Sequence, residues 1–204
     1  AAITLFVLSY FRVKSFRPRE IGWRPFVLGL IEPGLTSLLF VTSLTLLSAS
    51  NTVIVMALMP FSQSIMGRIV FKEEFQLSVW IGGVLSIIGI AVFFTGEDLK
   101  GTESLWGNML LLTVICLMIR SQLLTRKIMK SDIPAIQVTA SQMISATIII
   151  FAYLLLFGNL DLPVQITSET KIALIYLVFS MSIPFFLYNL AMRQIPVGMA
   201  SLFL

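Results

Sequence analysis

The chain has no histidine, a single cysteine and little charge, with Asp, Glu, Lys and Arg together making up 12% of its 204 residues. Each shortage removes a class of function. Zinc sites built on histidine and Ser-His or Cys-His nucleophile pairs are excluded, and the lone Cys116 cannot build a disulfide framework. Most enzymes lose their parts here. No Gly-rich phosphate loop of the form G-x-x-x-x-G-K-[ST] occurs, so no nucleotide site is expected, nor any other cofactor or metal. The net charge of +4 raises nucleic acid as a partner. The basic residues, however, fall between apolar runs and form no stripe interleaved with aromatics, which excludes that reading.

What is abundant is apolar surface. Hydrophobic residues are 57% of the chain and the mean hydropathy is +0.97, so a mostly wet exterior cannot be built and the expected solvent is a bilayer. A hydrocarbon core about 30 Å thick needs roughly 20 apolar residues per helix. Charge-poor windows of that length fall at 26–48, 51–71, 77–95, 105–125, 134–157 and 171–192, which predicts six whole spans in an all-α, polytopic helical membrane protein. Two further apolar runs, 1–11 and 197–204, are too short to cross and stop without a polar flank at their outer ends, which reads as two truncated helices of a longer protein. The first run lacks a basic leader and a small-residue cleavage site, so it is not read as a signal peptide.

Alternate loops carry the positive charge. Arg12, Lys14, Arg17, Arg19 and Arg24 form one group, Arg68 and Lys72 a second, Arg120, Arg126, Lys127 and Lys130 a third, and Arg193 stands alone; Lys100 and Lys171 fall on the other side. Twelve of the fourteen Lys and Arg then face the cytoplasm, and every span alternates correctly. A weak internal repeat fits the same plan, because 44–56 and 190–204 each read as a helix end, a tight connection and a helix start. Five spans separate the copies, and an odd number inverts the second across the membrane, as in inverted-repeat secondary transporters.

The run 60–89 carries the most specific pattern: Pro60, then Glu73 thirteen residues on, then Trp80, Gly82 and Gly89. With the helix start at Ala49, Ser50 and Asn51, and with IPVGMASL at 195–202, the chain resembles the EamA-type branch of the drug/metabolite transporter superfamily. The resemblance implies a ten-helix bundle of two inverted repeats. Residues 1–95 would be the end of the first repeat, helices 2 to 5, and 105–204 the start of the second, helices 6 to 9. It also implies a secondary transporter of small organic metabolites or drugs, an amino-acid or metabolite exporter working by alternating access in the plasma (inner) membrane.

Candidate binding or coupling residues come from polar groups placed deep in apolar spans. Glu32 is the one carboxylate well inside a window, eight residues past Arg24 and so roughly 12 Å deep. A carboxylate there must face a cavity or a partner. It reads as a proton-coupling or substrate-ammonium site, or as a buried acid that satisfies backbone freed by Pro33. Pro60 is expected to kink its span, with Thr52, Met56, Met59 and Gln63 on one face and Asn51 nearby, either lining a cavity or packing a core. Arg120 reads as a cation that snorkels to the headgroups or points into the cavity as an anion anchor, where it would pair with Glu32. Gln142, with Ser121, Gln122 and Ser141, and Tyr188 with Asn189 beyond the proline at Pro184, complete the set. Gly82, Ser86 and Gly89 recur at i, i+4 and i+7, a small-residue stripe expected to pack closely on a neighbouring helix. Glu73 reads as a solvated charge at a helix end.

The partners expected are a small-molecule substrate, the lipid bilayer and protons as coupling ion; a homodimer is compatible with all of this. The rival readings are a membrane-embedded enzyme or lipid-handling protein, which requires a cluster of catalytic side chains at one depth, and a structural or sensory protein, which requires long loops or a soluble domain. Neither is found in the chain.

Overall fold

The computed structural model describes residues 22–73, 77–96, 104–131, 133–158 and 167–196, with Met199. The runs 1–11 and 197–204, the basic residues Arg12 to Arg19, Lys100, and much of the second repeat copy lie outside the described residues. The described structure is helical throughout. Five of its segments are long and apolar enough to cross a bilayer: Arg24–Leu44, Ala49–Phe71, Leu105–Met129, Ala135–Phe157 and Ser168–Ala191. The window at 77–95 forms a further uncharged helix, α5 (Leu77–Gly96).

The first span is bent. It comprises α1 (Arg24–Gly29), a wide turn over Leu30–Leu35 and α2 (Thr36–Leu44). Glu32 has φ −134° and ψ 120°, outside the helical region, because a residue before proline clashes with the ring when helical. Pro33 also has no N–H to extend the ladder. The bend leaves Glu32 buried at its apex.

The second span is broken rather than merely kinked. α3 (Ala49–Met56) begins at Ser48, whose Oγ accepts from Asn51 N at 3.2 Å, and α4 (Met59–Phe71) restarts with Pro60 in its first turn. There the missing N–H is no loss, because the first turn of a helix has no carbonyl to bond. Lys72 closes α4 in the left-handed region at φ 56°. The remaining spans are α6 (Leu105–Met129), capped by Ser104, α7 (Ala135–Phe157), which follows Pro134, and α8 (Ser168–Ala191), capped by Thr167 and unbroken through Pro184.

α1 and the wide turn lie on α7, and α2 lies on α6. Gly29 makes the first contact possible: a Cβ there would sit 2.3 Å from the backbone oxygen of Gln142. One turn on, a Cβ on Gly34 would sit 2.5 Å from Ile149 Cγ2. The stripe expected to pack closely behaves otherwise. Among the described residues, Gly82 and Gly89 have open space where a side chain would go, and the contact on α5 is made by Gly83 against Phe61. Period alone does not say which face of an apolar helix meets protein and which meets lipid. At the interior, Leu111, Val138, Tyr188 and Met192 from α6, α7 and α8 form the main core cluster with Val55 of α3.

The basic residues gather at one end. Arg126 pairs with Glu73 at 2.6 Å and donates to the carbonyl of Ile195, while Arg193 donates to the carbonyl of Ile133. Arg126 and Lys130 also both lie over the ring of Phe71, at 5.3 and 5.2 Å. Glu73 is only 12% exposed, so it is a half-buried partner of Arg126 and not the solvated charge expected from its place in the chain.

Candidate functional site

All five spans contribute a polar side chain to one buried region. Gln122 of α6 is its hub. Its Nε2 donates to Glu32 Oε1 at 3.0 Å, and its Oε1 accepts from Tyr188 Oη at 2.7 Å and from Gln63 Nε2. An amide oxygen has two lone pairs, so both are in use. Glu32, Gln63, Gln122 and Tyr188 are each 5% exposed or less.

A second hydrogen-bonded chain runs beside the first. Asn189 Nδ2 donates to Thr139 Oγ1 and to Gln142 Oε1, both at 2.9 Å, and Gln142 Nε2 donates to Thr125 Oγ1 at 3.1 Å. Two adjacencies join the chains: Tyr188 and Asn189 are neighbours on α8, and Gln122 and Thr125 lie one turn apart on α6. Thr139, Ser141 and Ser145 also bond back to carbonyls one turn earlier, which lets α7 bury hydroxyls along its first half.

A cavity of about 200 Å³ opens on this region. Glu32 and Thr36 are polar groups in its wall; Phe40, Met56, Val114 and Phe185 are among the apolar ones. From Glu32 it runs toward Phe40, away from the basic end. A second cavity, of about 520 Å³, runs the other way along the first span, from Ile31 to Arg24, against Leu117 to Lys127 of α6. Glu32 and Met118 line the first, while their neighbours Ile31 and Leu117 line the second. The Glu32 bend therefore stands where the two cavities come nearest.

Five of the candidate residues are brought together: Glu32, Gln63, Gln142, Tyr188 and Asn189. Two are not. Asn51 Nδ2 donates to Asn108 Oδ1 at 3.1 Å near the start of α6. That is fourteen residues, about 21 Å of helix, from Gln122. Arg120 is exposed on the wall of the larger cavity, and among the described residues it makes no ion pair with Glu32. Glu32 is held instead by a neutral amide.

Sequence reasoning gave Gln122 only a supporting role and read Arg126 as a topology signal. The clue was spacing: Gln122 and Arg126 stand at i and i+4, with Ser121 and Thr125 beside them, so α6 carries a polar stripe through an apolar span. Among the described residues no group of three or more His, Cys, Asp or Glu is placed to hold a metal.

Residues 1–95 match the EamA-like transporter family. No curated protein and no solved structure matches the chain.

Proposed function

We propose that the chain, whose residues 1–95 match the EamA-like transporter family, is a secondary transporter of a small organic solute carrying an ammonium group. The observation that carries this reading is the cavity at Glu32. Among the described residues its wall holds one carboxylate, no cation and otherwise mostly apolar and aromatic groups. A carboxylate at that depth in a membrane is costly alone, and a bound ammonium or proton offsets it. Drug-sized ligands occupy pockets of about 300–1,000 Å³. A cavity of about 200 Å³ favours an amino-acid-sized solute over a drug.

Alternating access is the mechanism that fits an acid between two cavities. Opening toward Phe40 exposes Glu32 to one side; opening toward Arg24 exposes it to the other. Gln122 holds the carboxylate in either state, and Gln63 and Tyr188 hold Gln122. The chain is read as a transporter and not an enzyme because, among the described residues, the polar groups gathered around Glu32 are amides and hydroxyls, with no nucleophile-base pair among them. By the positive-inside rule the basic end is cytoplasmic, which suits a plasma membrane.

The test is counterflow in liposomes, with a panel of amino acids, amines and neutral metabolites. Uptake of amine-bearing solutes that Glu32→Gln abolishes, while the variant still melts cooperatively, is the expected result. Equal flux of Glu32→Gln and wild type across pH 5 to 8 would remove both the ammonium and the proton roles of Glu32.

A further inference from the structure

The larger cavity is chemically unlike the one at Glu32. Among the described residues, Arg24, Arg120 and Lys127 stand in its wall and no carboxylate does. Arg120 and Lys127 are seven residues apart on α6, so they share a face and are separated by about 10 Å along the axis. Arg24 comes from the start of the antiparallel first span. Among the described residues none of the three is ion-paired. Three cations around one cavity repel one another, and Arg120, roughly 9 Å along the helix from Arg126, can reach an anion held at the headgroup level.

Between the cations the wall is hydrocarbon. Val27 and Leu124 line the cavity and are 39% and 37% exposed. Trp23, 70% exposed, stands at the basic end, where indole rings settle among lipid headgroups. A small hydrated anion would satisfy the cations and leave the apolar wall wet. A molecule with an anionic head and an aliphatic tail satisfies both. The cytoplasmic leaflet, onto which the basic end faces, supplies one, since basic pockets between spans on that side take acidic headgroups.

We propose that this cavity binds one anionic phospholipid of the cytoplasmic leaflet, its phosphate among Arg24, Arg120 and Lys127 and its proximal acyl chain along Val27 and Leu124. The site lies apart from the Glu32 cavity, on the side toward which Glu32 is proposed to open at Arg24, and lipid retention is read without transport, so its failure and the failure of the solute reading are distinguishable.

The experiment is native mass spectrometry of the full chain released from mixed phosphatidylglycerol and phosphatidylcholine nanodiscs, with melting temperature followed in parallel. Wild type is expected to retain phosphatidylglycerol over phosphatidylcholine by roughly tenfold or more, each basic residue near the surface contributing to the preference. Arg120→Gln with Lys127→Gln should reduce that ratio to near one. Leu124→Trp, which keeps every cation and fills the apolar wall, should also lower retention, so that charge alone is not the readout. Equal retention of the two lipids, or a ratio that the double variant leaves unchanged, would overturn the proposal. So would displacement of the lipid by millimolar glycerol phosphate, because the site would then recognise a soluble anion. A segment of the chain filling the cavity would appear as no retained lipid, which likewise overturns it.

Discussion

Gln122 donates to Glu32 at 3.0 Å although ninety residues separate them in the chain. One neutral amide thereby fixes the acid at the bend of the first span, and it is itself fixed by Gln63 and Tyr188. The hub position sets an order among substitutions that a list of polar residues would not.

Tyr188→Phe removes one hydrogen bond from an oxygen that keeps another, and a typical net loss is about 0.5–1.5 kcal/mol. Gln122→Leu strands Glu32, Gln63 and Tyr188 together, each buried, and the penalty for one stranded group is about 1–3 kcal/mol. Thermal melts in detergent should therefore rank wild type above Tyr188→Phe and Tyr188→Phe well above Gln122→Leu. The reverse ranking would mean that Gln122 is not the centre of the network.

Gly29→Ala places a methyl 2.3 Å from the Gln142 backbone oxygen, so α1 must move away from α7. Overpacking of this kind costs about 1–3 kcal/mol. Because Gln142 belongs to the Asn189 chain, the shift should also raise the solute KM. Gly89→Ala meets open space and should change neither melting nor transport. Similar losses for both variants would show that close approach does not set Gly29 apart, because Ala in place of Gly by itself favours a helix.

Glu73→Gln leaves Arg126 buried beside a neutral group. Breaking one side of a buried pair costs about 3–5 kcal/mol. Arg126 also holds the Ile195 carbonyl, so the variant loosens the contact between the end of α4 and the segment after α8. Lower stability is expected, with faster labelling of a cysteine placed at Lys130 from the basic side. A double exchange, Glu73→Arg with Arg126→Glu, should recover part of the stability. No recovery would place the weight on the Ile195 and Phe71 contacts of Arg126 rather than on its charge partner.

Asn51→Ala breaks the bond to Asn108, far from Glu32 along the bundle. A stability loss of about 1 kcal/mol is expected, with unchanged KM and unchanged pH dependence of transport. A shift in KM would return Asn51 to the solute site, where its place among the candidates had put it.

The way Glu32 and Glu73 were read shows where sequence is sufficient. Glu32 stands out by itself, since a carboxylate inside an apolar window is anomalous whatever surrounds it. Glu73 does not: at the end of a helix beside Lys72 it has the look of a solvated charge, and only the return of α6 past that point reveals Arg126 at 2.6 Å. Pro60 lies between the two cases. Its chemistry dictates a break near Met56, but that the chain restarts as a separate helix at Met59 depends on what packs there.

Membrane residence, the placing of the apolar helices and the backbone freed by Pro33 are local properties of this chain. They follow from run length, charge placement and the backbone demands of proline, so the sequence by itself determined them. Which polar residues meet was decided only by tertiary structure. Glu32, Gln63, Gln122 and Tyr188 are dispersed over four spans, and Gly29, unremarked in the sequence, sets the distance at which α1 meets α7. The small-residue stripe at Gly82 and Gly89 makes the same point from the other side. In a bilayer lipid and protein are both apolar, so the hydropathy of a face does not say what it touches, and shape complementarity between whole helices makes the choice.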